Sequence, residues 1–301
     1  MKLTTKPGAF LLKKLNLTRL AAAVLVAAGL FTSCKSTPDI APVDPFELLD
    51  GDAALYLSVP VQANREFVTS AIQKVAHVEE SDAEKITDRL DTAFVAISAL
   101  GQVQLSASGK LPSTMLGFVL SEKNGWRSGV YNEQVYYTHQ PSLYQLCIPS
   151  SSNAFLSYDI APMINRFNKV AFPSNTEVVD TKLLSQGLSE SAFAFLHDNK
   201  SPDILMYSPL PKSFIKSFLG SDITPPVDSM FAVLSQYRGV KEQFNVRLVI
   251  NLSDPRTCKA TCALLKTMLF GIPAKIVQTG QKQITITDLP VSKNRLLSML
   301  R

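Results

Sequence analysis

The chain has 301 residues, with 30 Lys and Arg against 25 Asp and Glu and a formal charge of +5. Five of the basic residues and none of the acidic ones fall within the first 33, which leaves 25 of each sign in the remainder. A neutral body lacks the clustered cations of a nucleic-acid-binding or polybasic membrane surface, and its frequent Leu, Val, Ile and Phe exclude a disordered chain.

The N-terminal segment carries Lys2, Lys6, Lys13, Lys14 and Arg19, and no acid occurs before Asp39. From Leu20 to Thr32 the residues are apolar or small over 13 positions, too few for a bilayer span of about 20. This is the anatomy of a secretory signal. Its end is distinctive, because Ser33 is followed at once by Cys34. The stretch Leu30-Phe31-Thr32-Ser33-Cys34 resembles the lipobox of bacterial lipoproteins, with small residues before the cysteine. It departs at Phe31, where an aliphatic residue is usual, and is similar to the looser boxes of spirochaete lipoproteins. The resemblance covers only the first 35 or so residues.

By that resemblance, a signal peptidase cuts between Ser33 and Cys34, and Cys34 carries a diacylglyceryl thioether and further acyl chains such as palmitate. Residues 1–33 are then the signal peptide. The proline-bearing stretch "KSTPDIAPVDPFE" completes a flexible tether over 34–47. Lys35 and Ser36 follow the cysteine with no Asp directly after it, which by the same resemblance implies the outer membrane, with the body in the periplasm. The alternative is a plain signal peptide cut near Ala28, with Cys34 an ordinary thiol.

The body reads as a first half (48–158), a helical connector (159–189) and a second half (190–301). In the first half, patterning predicts a strand over 54–59 and helix over 64–75 continuing into 80–90. Strands follow over 93–99 and 103–108, then a helix over 113–122 and a strand over 134–139. Residues 143–159 predict an added hairpin, and "DIAPMINRFNKV" a linking helix. The second half predicts strands over 204–208, 229–236, 243–251 and 283–287, with helices over 212–219 and 254–270. In "FNVRLVINL", Phe244, Val246, Leu248 and Ile250 alternate with Asn245, Arg247, Val249 and Asn251, so one face is buried. Ser253 or Asp254 as N-cap, with Pro255 in the first turn, are start signals for the last helix.

Two pairs of segments match between the halves: "DTAFVAIS" (91–98) with "DSMFAVLS" (228–235), and "QVYYTHQP" (134–141) with "QITITDLP" (283–290). They indicate an internal duplication. The expected fold is α+β, with two tandem similar halves. Each runs β-α-β-β-α-β, with a mainly antiparallel sheet and helices packed on one face.

Chemistry is sparse. His77, His139 and His197 are far from one another and from any cysteine, so no metal-ligand spacing appears. Gly101, Gly109 and Gly117 are too widely spaced to cradle a phosphate. Glu80, Glu84 and Asp88 share one helical face with Lys85 and Arg89 alongside, the pattern of a solvated surface. Cys258 and Cys262, four apart on a helix, have Cβ atoms about 5–6 Å apart, whereas a disulfide needs about 3.8 Å. They read as small core residues, and Cys147 leaves an odd number of cysteines besides Cys34. No catalytic, cofactor-binding or metal-binding residue is assigned, and no cofactor is expected.

The one candidate interaction surface is aromatic: Trp126, Tyr131, Tyr136, Tyr137 and Tyr144. The sequence thus describes a non-enzymatic, lipid-anchored envelope protein whose body binds or scaffolds a partner, another envelope protein or peptidoglycan, and whose body is assigned to no known family. A small-molecule-binding lipoprotein with a pocket between the halves is one alternative. A cell-wall hydrolase with a site not visible in sequence is another.

Overall fold

A computed structural model describes residues 40–298, except 41, 77, 112–119, 174–181, 198–200, 212–225 and 238. The chain divides into two units at Pro42, and the second, Val43–Arg301, is the body described here.

Among the described residues, twelve strands form one sheet. The first seven are β1 (Leu55–Pro60), β2 (Leu90–Ile97), β3 (Val103–Gly109), β4 (Trp126–Tyr131), β5 (Gln134–His139), β6 (Gln145–Cys147) and β7 (Asn153–Ser157). The others are β8 (Ile204–Ser208), β9 (Val227–Gln236), β10 (Gln243–Leu252), β11 (Lys275–Gln278) and β12 (Gln283–Ser292). Their order is β11-β12-β10-β9-β8-β1-β2-β3-β7-β6-β5-β4. Every neighbouring pair in this order is antiparallel. The α-helices among the described residues are α1 (Arg65–Ala76), α2 (Glu80–Thr87), α3 (Ala161–Ala171), α4 (Glu190–His197), α5 (Cys258–Met268) and α6 (Lys293–Ser298).

The fold is α+β with an antiparallel sheet, as the sequence patterning implies. Local chemistry explains its boundaries. Asp254 accepts a 2.9 Å bond from the Arg256 N–H through Oδ1 and starts the turn that leads into α5. Asn132 and Glu133 both have positive φ, the conformation of a two-residue hairpin turn, and they join β4 to β5. Phe244, Val246, Leu248 and Ile250 are buried as the alternation requires. The predicted hairpin in 143–159 is the antiparallel pair β6–β7, and the linking helix is α3. The helix expected over 212–219, and most of that expected over 113–122, lie outside the described residues.

One expectation needs correcting: helices pack on both faces of the sheet. On one face, α1, α2 and α5 cover Leu55, Val59, Met206, Leu234 and the buried residues of β10. On the other, Phe195 of α4 meets Phe231 edge-on at 5.2 Å, and Phe167 of α3 meets Phe155 at 6.1 Å. The cause lies in the central strands. Tyr56, Phe94 and Tyr207 are as buried as the leucines and valines they alternate with, so both faces must be shielded from water. Only β10 and its neighbours carry the one-sided pattern.

The packed body starts at Val43, inside the stretch read as tether. Asp44 Oδ1 accepts a 2.9 Å bond from Phe46 N–H, capping a 3-10 turn at Pro45–Leu48. Phe46 and Leu48 are fully buried. Phe46 rests on Phe94 at 4.8 Å and on Phe193 at 5.1 Å.

Candidate functional site

The body holds a cavity of about 590 Å³ between the sheet and helices α1 and α2. Its size is that of an ordinary small-molecule site, about 300–1,000 Å³. The sequence creates this space on the sheet side. Ala93 lies opposite Ala107 in the β2–β3 register, and Ala107 lies opposite Ala154 in the β3–β7 register. All three line the cavity. A row of methyl groups across three strands fills little of the gap to the helix layer. In the second half, Phe244, Val246, Leu248 and Ile250 belong to the continuous core that includes Cys258, Cys262 and Leu265 of α5.

Phe67, Val68, Ala71 and Ile72 of α1 form part of the roof, and Ile86 of α2 extends it. Ile204, Met206 and Leu234 bring the second half into the wall. At the β2–β3 turn, Leu100 lines the cavity yet is 87% exposed, and Leu210 is 56% exposed. Both leucines present apolar surface to solvent at the cavity wall.

Among the described lining residues only Asp82, Lys85 and Arg89 are charged. Lys85 Nζ lies 2.8 Å from Asp82 Oδ1, so these two offset each other. Arg89 is half-buried, and among the described residues its guanidinium has no ion pair or hydrogen bond. Its backbone is held firmly: the Lys110 N–H donates to Arg89 O at 2.7 Å. Glycine at 109 permits that approach, since a Cβ there would lie 2.0 Å from Arg89 O.

The residues singled out in the sequence do not converge on the cavity. Ser33 and Cys34 lie outside the described residues. Trp126 is 5% exposed, lines the cavity, and packs against His139 at 4.9 Å. Tyr131 is exposed near the hairpin tip and accepts a 3.4 Å bond from Asn165 Nδ2. Tyr136 lays its ring over Gly129, where a Cβ would come within 2.6 Å of it, and Tyr137 is half-buried. Tyr144 stacks on Tyr158 with centroids 4.0 Å apart. Burial, then the hydrogen bond to Tyr158, pushes the Tyr144 phenol up.

The remaining candidates are local. His139 Nδ1 sits 2.7 Å from Ser142 Oγ, and His197 Nε2 sits 2.6 Å from Asp44 Oδ2; His77 lies outside the described residues. Glu80, Glu84 and Asp88 are exposed. Cys147, Cys258 and Cys262 are free and buried, and burial pushes the Cys147 thiol up to about 12. Among the described residues no group of three His, Cys, Asp or Glu could hold a metal.

The family model for outer membrane-associated lipoprotein TP0453 matches residues 40–297. The chain belongs to that family. This corrects the reading that left the body unassigned: the match covers the body, residues 40–297, beyond the stretch that resembles a lipobox. The outer membrane protein TP0453 of Treponema pallidum (strain Nichols) is 32% identical over 106 residues, which is 35% of this chain and 36% of that relative. Two crystal forms of TP0453, I and III, superpose with a TM-score of 0.65 at 21% and 20% identity. They cover 86% of this chain and 97% and 98% of theirs, and at that identity they establish the shared fold. Membership in the TP0453 family makes this a lipid-anchored protein of the cell envelope, associated with the outer membrane.

Proposed function

We propose that the body binds an apolar small molecule in the cavity between its sheet and helices α1 and α2, at the surface of the membrane that anchors it. The observation that carries this reading is the cavity of about 590 Å³ over the alanine row, with three charged residues in its described lining. Burying each methylene of a ligand there is worth about 0.8 kcal/mol. Residues from both halves contribute, in keeping with a pocket shared between them. The anchor in this reading is Cys34, freed by cleavage after Ser33 and carrying the acyl chains.

The test is titration with a naphthylamine dye whose fluorescence rises in apolar surroundings. Wild type should bind it and release it to hexadecanol. Ala107→Phe and Ala71→Trp, which fill the cavity from floor and roof, should lose the signal while staying folded. Equal binding by both variants overturns the reading.

The tandem halves belong to the same proposal. Strands β1, β2, β3 and β7 run outward from the centre of the sheet in the order that β8, β9, β10 and β12 run in the opposite direction. The match of 91–98 with 228–235 places β2 against β9, equivalent positions in that arrangement. The match of 134–141 with 283–290 pairs β5 with β12, which are not equivalent, and so supports the duplication less.

A specific observation also favours an envelope partner at the aromatic hairpin. Val130 and Val135 face each other across β4–β5 at 72% and 47% exposure, beside exposed Tyr131. By the register Tyr137 and Trp126 lie on the face of Val130 and Val135, whereas Tyr131 and Tyr136 lie on the opposite face of the ribbon. Val130→Asp should abolish capture of such a partner without changing dye binding.

A further inference from the structure

We infer that the cavity takes a single-chain amphiphile with an anionic headgroup, and that Arg89 is the residue that selects the charge. The inference rests on the cavity being a ligand site and adds the class of ligand.

Three observations carry it. First, the lining is chemically lopsided. Asp82 and Lys85 offset each other, which leaves the Arg89 guanidinium as the uncompensated charge in the described wall. Arg89 is half-buried as a residue, and a carboxylate or phosphate supplies the bidentate acceptor its guanidinium lacks among the described residues.

Second, the arginine and the exposed leucine stand at opposite ends of one strand. Arg89 immediately precedes β2, whereas Ser98, Leu100 and Gly101 follow it, and all of these line the cavity. At about 3.3 Å per residue, this eight-residue strand is roughly 25 Å long. A bilayer core of about 30 Å gives each acyl chain a reach of about 15 Å. A chain of that length can therefore lie along β2 with its head at Arg89 and its tail directed toward Leu100.

Third, the arginine is held in place. The Lys110 N–H bond to Arg89 O and the missing side chain at Gly109 fix its backbone against β3. The α2 side chains Lys85 and Ile86 line the same cavity. The backbone that carries the cation is therefore fixed at one corner of the cavity.

The test uses three probes that share one C16 chain: hexadecanoate, hexadecanol and hexadecyltrimethylammonium, each below its micelle concentration and competing with the naphthylamine dye. Wild type should prefer the anion over the alcohol by about tenfold, the scale of a charge-assisted hydrogen bond, and should bind the cation weakest. Arg89→Gln should erase the preference of hexadecanoate over hexadecanol, and Arg89→Lys should retain part of it. In wild type the preference should shrink as salt is raised, which needs no variant. If hexadecanoate and hexadecanol bind wild type equally at all salt concentrations, the headgroup inference is overturned and the apolar site stands. If no probe displaces the dye, or the dye does not bind, both fail together.

Discussion

The guanidinium of Arg166 reaches from α3 to the carboxylate of Asp50, beneath the point where the chain enters the body. Arg166 is 7% exposed, and it also donates to Leu48 O at 2.9 Å and Lys182 O at 3.2 Å. Asp50 in turn accepts from Gln104 of β3, and Asp50 O accepts from the Tyr56 hydroxyl at 2.8 Å. One arginine thereby ties the entry segment, the linking helix and the central sheet together.

Arg166→Ala should therefore destabilise the body by about 2–3 kcal/mol, since it strands two carbonyls and a carboxylate. Asp50 is only partly buried and rehydrates, so Asp50→Asn should cost less, about 1 kcal/mol. Urea unfolding of the three proteins measures the difference. Equal losses would show that the carboxylate, and not the carbonyls, dominates.

The two faces of β10 should respond oppositely to substitution. Val246→Asp places a charge among Phe244, Leu248 and the core under α5 and should abolish stable folding or cost at least about 3 kcal/mol. Arg247→Ser, one residue along and exposed, should stay within about 0.5 kcal/mol of wild type. Thermal unfolding distinguishes the two.

That contrast also shows what was legible in the sequence. β10 was readable because its alternation is one-sided, and α5 because Asp254 and Pro255 announce it. β4, "WRSGVY", was missed: as the outermost strand it buries little beyond Trp126, and it carries no periodic apolar signal. β11 is a four-residue edge strand with one buried side chain, Ile276. The packing of helices on the second face was missed, although α3 itself was read as a linking helix, because buried strands such as "ILMYS" look alike whichever side is covered. Phe46 was read as tether despite the Asp44–Pro45 cap before it. The cavity was invisible for a deeper reason. Ala93, Ala107 and Ala154 are unremarkable alone and form a floor only when three strands bring them into register. Arg89 sat in a helix rich in charge, and nothing in its spacing separates it from its solvated neighbours.

Alkaline pH should weaken the fold through Cys147. Its thiol ionises near 9 when unfolded, and burial holds it up to about 12 in the native state. Between those values the unfolded chain releases a proton that the native chain keeps, so the contribution is complete below pH 9 and is lost as pH rises toward 12. Burial pushes the Tyr56 phenol up as well and acts in the same direction. Urea midpoints at pH 8 and pH 10 should fall more for wild type than for Cys147→Ala.

Cys34→Ala should release the protein from membranes without altering its unfolding curve, because the folded body begins at Val43. Fractionation followed by circular dichroism checks both halves of that statement. A variant that stays in the membrane fraction would contradict anchoring through this cysteine.

The measurement that bears most directly on the account is the mass of the protein extracted gently from its own membrane, recorded under native and denaturing conditions. The denatured mass should equal residues 34–301 plus covalent acyl chains. The native mass should exceed it by one amphiphile, and Ala71→Trp should remove that excess. Identical native and denatured masses for wild type would show an empty cavity and contradict the binding function.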